Sequence, residues 1–599
     1  MATNPGPPTD TTGPSASPCD PDDIALKSFF LGPQSENADW LEEVFRGVLT
    51  AYFSWRRRTF PEDGRAISDG DLETPQFRRQ RREIAVEMQR LLARFESEVP
   101  KFSPRYIGHM FSETSMPAMI GHVITLLHNP NNVSGESSRV GIEVEGQAID
   151  ALAQMLGYDT ANCRGHFTSG GTVANFEAMV RARQRMERFM AVGAAARDED
   201  RASLSLFEAA HMGWSRYDEL SDGGIDVEDA RKQFAPTAQN PFAAAHRLHD
   251  VFEVPYRGPV VLVPGHKHYS WTKGVELMGL GAESFWSVQL DEHGQMDLDD
   301  LRAQIERARQ QQRPIMMVVS VAGTTELGTF DPVGHIQDVL DEYEKRHGLH
   351  IYHHVDAAYG GFFAANVCGE SPCVMGDGVC NALESIQRTN SVTLDPHKLG
   401  YVPYASGAFV CADRREYFAS TIDAPYLDLD HDRDPGPQTI EGSRSAAGAV
   451  ATYLTARTIG LDADGYGRIL RRTIQARHEL RDALGELEIP VRLAPGASNI
   501  LTFCVAYEGE SLSETNARTR QLYNAFSPEQ DGEFFVSKTT LRHRDYAPLI
   551  EPFIDSWNGE ANTDELTLIR LCIMNPFINS RETETDFPTA FARAVASRL

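Results

Sequence analysis

The sequence predicts an α/β protein, a mostly parallel sheet with helices on both faces. Short apolar runs recur through the middle of the chain at the length of buried strands, and amphipathic helical patterns separate them. Reactive residue types fall directly after these runs, at the strand ends where α/β sheets bind ligands.

Residues 1–23 are rich in Pro, Thr, Ser, Gly and Asp, bury almost nothing, and are expected to form a disordered tail. Residues 24–110 read as an N-terminal helical domain. Trp40, Val44, Phe45, Val48 and Leu49 recur at helical spacing, and Phe95 follows a long Arg/Glu-rich stretch. Residues 111–435 form the expected large domain. Pro259 to Val263, Ile315 to Val319, Ile351 to Val355, Ser391 to Leu394 and Ala408 to Val410 read as its buried strands. Ile336, Val339, Leu340 and Tyr343 mark one helix face between two of them, which implies right-handed crossovers. A polar segment over about 186–257, containing Ser221-Asp-Gly-Gly, breaks the rhythm and reads as an inserted helical hairpin with a surface loop. Asp428 to Pro437 reads as an acidic, turn-rich loop. Residues 436–599 then form a smaller C-terminal domain with strands over 500–505 and 567–573.

Composition narrows the function. A chain of 599 residues exceeds one hydrophobic core. The net charge of -28 argues against a protein that coats nucleic acid. No apolar run is long enough to span a bilayer, and no signal peptide is read at the start. Eight cysteines in so long a chain suggest reduced thiols in the cytoplasm, with Cys368, Cys373 and Cys380 as incidental loop thiols.

Four short stretches carry chemistry. In Ser391-Val-Thr-Leu-Asp-Pro-His-Lys398 a strand ends in a turn and a lysine. A lysine amine forms a Schiff base only when deprotonated, and burial beside cations lowers its pKa; His397 would supply that field or bind an anion. A solvated surface lysine is the plain alternative. Gly165 to Asn175 places Gly171 and Thr172 at a helix start, where free N–H groups and the helix dipole suit a phosphate. They could equally be ordinary capping residues. His353 to Gly361 ends a strand in Asp356, a carboxylate that would hold a protonated pyridine nitrogen, beside Ala358, small enough for a flat ring to lie against. His353 and His354 point to opposite faces of a strand and cannot both ligate one metal, so no metal site is expected. In His266 to Ser270, His268 would stack on that ring or serve as a structural histidine. Asp395 reads as a supporting group or a turn residue before Pro396.

Together these stretches resemble the group II PLP-dependent amino-acid decarboxylases, a fold-type-I family. The motifs are FTSGGTVANFEAM (Phe167 to Met179), HKHYSW (His266 to Trp271), GTTELGTFDP (Gly323 to Pro332), HVDAAYGG (His354 to Gly361), DPHKLGYVPY (Asp395 to Tyr404) and EGSRSA (Glu441 to Ala446). FFLGPQSENADWL (Phe29 to Leu41), RYIGHMFSETSMPAM (Arg105 to Met119) and IRLCIMNPFIN (Ile569 to Asn579) most resemble the bacterial tyrosine decarboxylase branch. The resemblance implies a seven-stranded, mostly parallel sheet, pyridoxal 5'-phosphate as cofactor, and a homodimer with its active site at the subunit interface. By position it implies Lys398 as the Schiff-base lysine, Asp356 as the ring-nitrogen partner and His268 as the stacking group. Gly171, Thr172 and His397 would hold the phosphate, with Ser443 reaching in from the second subunit. Thr325 or Thr324 would contact the ring. Tyr426 would protonate the substrate carbon, Tyr404 and Met116 would line the substrate pocket, and Arg570 would sit near the substrate carboxylate. The expected reaction is decarboxylation of an L-amino acid, tyrosine to tyramine first among them. Glutamate, aspartate or another aromatic substrate, an oxidative aldehyde synthase, and a non-catalytic binding homologue are the alternatives.

Overall fold

The computed structural model describes residues 21–368, 373–422, 434–527 and 532–599. Its centre is a seven-stranded sheet of β1 (Arg164–Thr168), β2 (Val260–Pro264), β3 (Phe285–Val288), β4 (Ile315–Val321), β5 (His353–Asp356), β6 (Ser391–Leu394) and β7 (Gly407–Cys411). The spatial order is β1-β7-β6-β5-β4-β2-β3. Strand β7 runs antiparallel to both its neighbours, and every other pairing is parallel. The strands read from sequence are present; β1 and β3 were not among them. Both lie at the sheet edges, and β3 buries only alternate residues, so neither shows a continuous apolar run.

Strand β2 shows how both faces are covered. Val260 and Leu262 pack with Leu301, Ile305, Ile336 and Val339 from helices over 298–310 and 333–347. Val261 and Val263 face the other way, onto Met179, Met186 and Phe189. Alternate side chains thus feed two cores, as the pleat dictates.

The N-terminal part is helical as expected: α1 (Pro21–Lys27), α2 (Ala38–Thr59), α3 (Asp69–Glu73) and α4 (Pro75–Phe95). Helix α1 begins inside the stretch read as a tail; residues 1–20 lie outside the described residues. Helices α2 and α4 leave Trp40, Ile84, Met88, Leu91, Leu92 and Phe95 half or more exposed. Next come α5 (Met116–His128) and α6 (Arg139–Met155).

The segment over 186–257 differs from its reading as a surface insertion. Met186 lies in the middle of α7 (Gly171–Asp198), a single 28-residue helix whose Met186, Phe189, Met190 and Val192 are buried. Helices α8 (Leu206–Ala210), α9 (Gly213–Asp222), α10 (Val227–Phe234) and α11 (Pro241–Phe252) close over it through Leu206, Tyr217, Phe234 and Leu248. The polar residues that masked this lie on the outer faces of these short helices.

Beyond the large sheet, β8 (Val491–Leu493), β9 (Ile500–Val505), β10 (Ser537–Arg542) and β11 (Glu565–Cys572) form a four-stranded antiparallel sheet ordered β10-β11-β9-β8. Cys373 and Cys380 are joined in a disulfide, contrary to their reading as incidental thiols. The helix over 377–384 returns Cys380 to within 6.1 Å of Cys373, Cα to Cα. No helix among the described residues is long and apolar enough to cross a membrane.

Candidate active site

A cavity of about 350 Å³ opens at the carboxyl ends of the strands. Lys398, His268, Asp356, Gly171, Thr172, Thr325, Ala358, His397 and Tyr404 all line it, from five separate stretches of chain. That convergence is the central structural observation.

Strand β5 ends at Asp356, which is buried. Its Oδ2 accepts hydrogen bonds from Asn175 Nδ2 (2.8 Å) and Trp271 Nε1 (2.9 Å), and Oδ1 accepts from the Ala358 N–H (3.3 Å). These donors are all neutral, so the carboxylate keeps its charge for something in the cavity. Sequence reasoning gave neither Asn175 nor Trp271 a role, although both sit inside motifs it singled out. Asn175 lies one helical turn beyond Gly171, and that spacing was the available signal.

His268 follows β2. Its Nδ1 accepts from the Ser270 N–H at 3.3 Å and lies 2.9 Å from Ser270 Oγ, which leaves the ring proton on Nε2. Asn175 also donates to Ser270 Oγ (3.0 Å), so one amide fixes both the stacking histidine and the buried aspartate. Burial holds the His268 imidazole below its usual pKa, against the pull of Asp356.

At the first turn of α7, a Cβ on Gly171 would meet Asp395 Oδ2 at 2.8 Å and Ala358 Cβ at 3.1 Å. Glycine is therefore required where the helix end meets the cavity, and the first amides of α7 stay open to an anion. With a neutral-donor-held carboxylate, a lysine amine and an unobstructed helix start, the lining fits pyridoxal 5'-phosphate.

The lysine departs from expectation. Its amine lies 3.0 Å from Asp395 Oδ2. Burial works against the charge, but Asp395, with Asp356 beyond it, outweighs burial and lifts the ammonium above its usual pKa. Sequence reasoning expected cations to lower it. The overlooked term is the carboxylate three residues upstream, which the Asp-Pro-His-Lys turn folds back onto the amine. His397 stacks on Tyr404, ring centroids 4.0 Å apart, and its Nδ1 accepts from the Ser406 N–H.

Three further residues, Ser443, Met116 and Arg570, do not line this cavity. Ser443 hydroxyl is bound by Asn131 Nδ2 (3.0 Å), outside this cavity. Met116 is buried at the start of α5, and its N–H donates to Phe29 O. Arg570 lies behind the wall, donating to Thr325 O (3.0 Å), Ser537 Oγ (2.9 Å) and His109 Nδ1 (3.1 Å). Tyr426 lies outside the described residues. His353 and His354 are buried and engaged by Ser320 and Gln337 on one side of β5, and by Ser391 and Thr393 on the other.

Residues 238–493 match the family model described as the pyridoxal-dependent decarboxylase conserved domain. The chain is 28% identical to the L-tyrosine decarboxylase of Levilactobacillus brevis, covering 96% of each protein. It is also 28% identical to the L-tyrosine decarboxylase of Enterococcus faecium, over 96% of this chain and 99% of that one. Among solved structures, mouse CSAD superposes with a TM-score of 0.61 at 18% identity, covering 94% of this chain and 98% of that one.

Proposed function

Because the chain belongs to the pyridoxal-dependent amino-acid decarboxylases, we propose that its substrate is L-tyrosine, released as tyramine and carbon dioxide. The likeness to two L-tyrosine decarboxylases along almost the whole chain carries this reading. Three tyrosines on the cavity wall, Tyr269, Tyr359 and Tyr404, give an aromatic substrate apolar faces to pack on.

Pyridoxal 5'-phosphate is the cofactor, and when bound it supplies an electron sink for the pair left behind as the Cα–carboxylate bond breaks. Lys398 tethers it. Of the cavity-lining residues, Asp356 would keep a proton on the ring nitrogen, His268 and Ala358 would pack against the ring, and Thr325 would contact it. Gly171, Thr172 and His397 serve the phosphate. Water displaced as cofactor and substrate fill the cavity would favour loss of a charged carboxylate as neutral carbon dioxide. We assign Tyr426 to donate the proton that replaces it. Arg570, buried and positively charged behind Thr325, biases the field toward the substrate carboxylate, and Met116 belongs to the substrate side.

The active unit is proposed to be a cytoplasmic homodimer in which Ser443 completes the cofactor site of the partner. Its support is the apolar surface left on α2 and α4 and the placement of Ser443 outside its own cavity. Mixed dimers of Lys398→Ala and Ser443→Asp chains should recover activity that neither parent has; no recovery counts against the shared site.

Supplying tyrosine, phenylalanine, DOPA, glutamate and aspartate in turn, with amine detection, tests the substrate. Tyramine should form fastest; a faster amine from an acidic amino acid moves the assignment to that substrate. Lys398→Ala should abolish the visible absorbance of the loaded protein.

A further inference from the structure

Asp395 is the feature of the cavity that the reading above leaves without a role. It ends β6 almost fully buried, its N–H donating to Ala358 O at 3.2 Å. Oδ2 stands 3.0 Å from Lys398 Nζ and 3.5 Å from His397 Nε2. Because His397 Nδ1 accepts from the Ser406 N–H, the imidazole proton sits on Nε2, facing the same oxygen. Oδ1 has no hydrogen-bond partner among the described residues. A carboxylate so placed is costly unless a cation pairs with it. Lys398 is the sole lysine or arginine among the described residues that line the cavity.

We infer that Asp395 holds the proton on the Lys398 amine whenever that amine is free, and so sets when the lysine gives up the cofactor and when it takes it back. This rests on Lys398 being the lysine that binds the cofactor.

The proton balance requires such a group. The substrate arrives as an ammonium ion. Exchange at the aldehyde carbon forms a bond from the substrate nitrogen and breaks the bond to Nζ, with no electrons gained or lost. The substrate nitrogen goes from three protons to one, and the two it sheds pass to Nζ, which leaves as ammonium. Protonated, Nζ is no nucleophile and does not recapture the carbon before the carboxylate departs. When the product amine leaves, the two protons return to it.

The other titratable groups facing Nζ cannot take this part. Asp356 is reserved for the ring nitrogen in the reading above, and it acts on the Nζ charge less strongly than Asp395 does. His268 and His397, when protonated, repel the ammonium, and burial keeps both below the usual histidine range. Tyr404 is kept neutral by burial. Asp395 also lies beside Gly171, so its charge should disfavour a phosphate there.

Capture of free pyridoxal, which lacks the phosphate, isolates the amine from the phosphate effect. The full-length protein stripped of cofactor is mixed with pyridoxal from pH 6 to 10, and the rate of visible absorbance growth is recorded. Borohydride reduction and peptide mapping then locate the adduct. In the wild type the rate should climb with pH as Nζ loses its proton. In Asp395→Asn the rising rate profile should be displaced to lower pH by about one unit or more, the size expected for losing an adjacent opposite charge. Capture at pH 7 should then quicken about tenfold, since amine ionisation below its midpoint scales tenfold per pH unit. Ionisations of pyridoxal itself are common to both proteins and cancel. Superimposable profiles overturn the inference while leaving the function intact. An adduct elsewhere than Lys398 overturns the function as well. If Asp395→Asn does not fold, Asp395→Ser carries the same readout.

Discussion

Asp356 and Glu113 are both buried carboxylates, and they are held in opposite ways. Asp356 accepts from three donors and stays available to a cation. Its replacement by Asn keeps the shape and removes the charge. Losing a buried ion-pair partner costs about 3–5 kcal/mol, roughly 10²–10⁴-fold if felt in the transition state. Amino-acid decarboxylation by Asp356→Asn should slow by that factor while the far-ultraviolet dichroism is unchanged. Glu113 accepts one N–H, from Gly32, and its Oε2 is buried without a partner among the described residues. Burial, with Glu36 nearby, pushes it up to about 7. An acid raised in the folded state binds more protons folded than unfolded between the two pKa values. Stability therefore falls as pH rises from about 4.5 to about 7, by about 3 kcal/mol at most, and is level above that. Urea titrations at pH 5 and pH 7.5 should show this loss in the wild type and a smaller one in Glu113→Gln; equal losses in both would refute the assignment.

Helix α7 serves the site at one end and the fold along its length. Its first turn carries Gly171, its second turn Asn175, and its buried middle binds the sheet to α8–α11. Gly171→Ala puts a methyl within 2.8 Å of Asp395 Oδ2 and 3.1 Å of Ala358 Cβ. Cofactor affinity, followed by fluorescence quenching, should weaken tenfold or more, about 1.4 kcal/mol, with stability barely altered. The strand-end motifs were legible because each joins an apolar run to a turn and a reactive side chain within a few residues. The role of Asn175 was not, because helical periodicity places it on the cavity side without naming a partner. Arg570 shows the reverse: its motif was legible, but its three acceptors come from Thr325, Ser537 and His109, far apart in the chain. Those contacts turn the guanidinium away from the lining, and local sequence holds no record of them.

The chain runs through its architecture out of order. Residues near 107 are stitched to the small sheet, Ile107 N–H to Phe535 O and Cys572 N–H to Ile107 O, while the Ser115 N–H donates to Tyr401 O beside the lysine turn. Long-range ties of this kind are invisible to periodicity, which is why the sequence reading captured most strands, the helices and residues that line the cavity but misjudged how 186–257 packs and did not foresee Met116 outside that lining. Edge strand β1 makes the point most sharply, since among the described residues its one strand neighbour is β7. Some 240 residues are synthesised between Thr168 and Gly407, on the order of 10–50 s at ribosomal speed. Throughout that interval β1 has helix α6 against it, through Glu145 and the Phe167 N–H, but no strand beside it. Nascent chains stalled before Cys411 emerges should fail to retain pyridoxal phosphate, even with β2, β4 and β5 already outside the tunnel. Vitamin capture then belongs to the last act of translation, and a protease present during synthesis should find the stretch around Thr168 cleavable until β7 arrives.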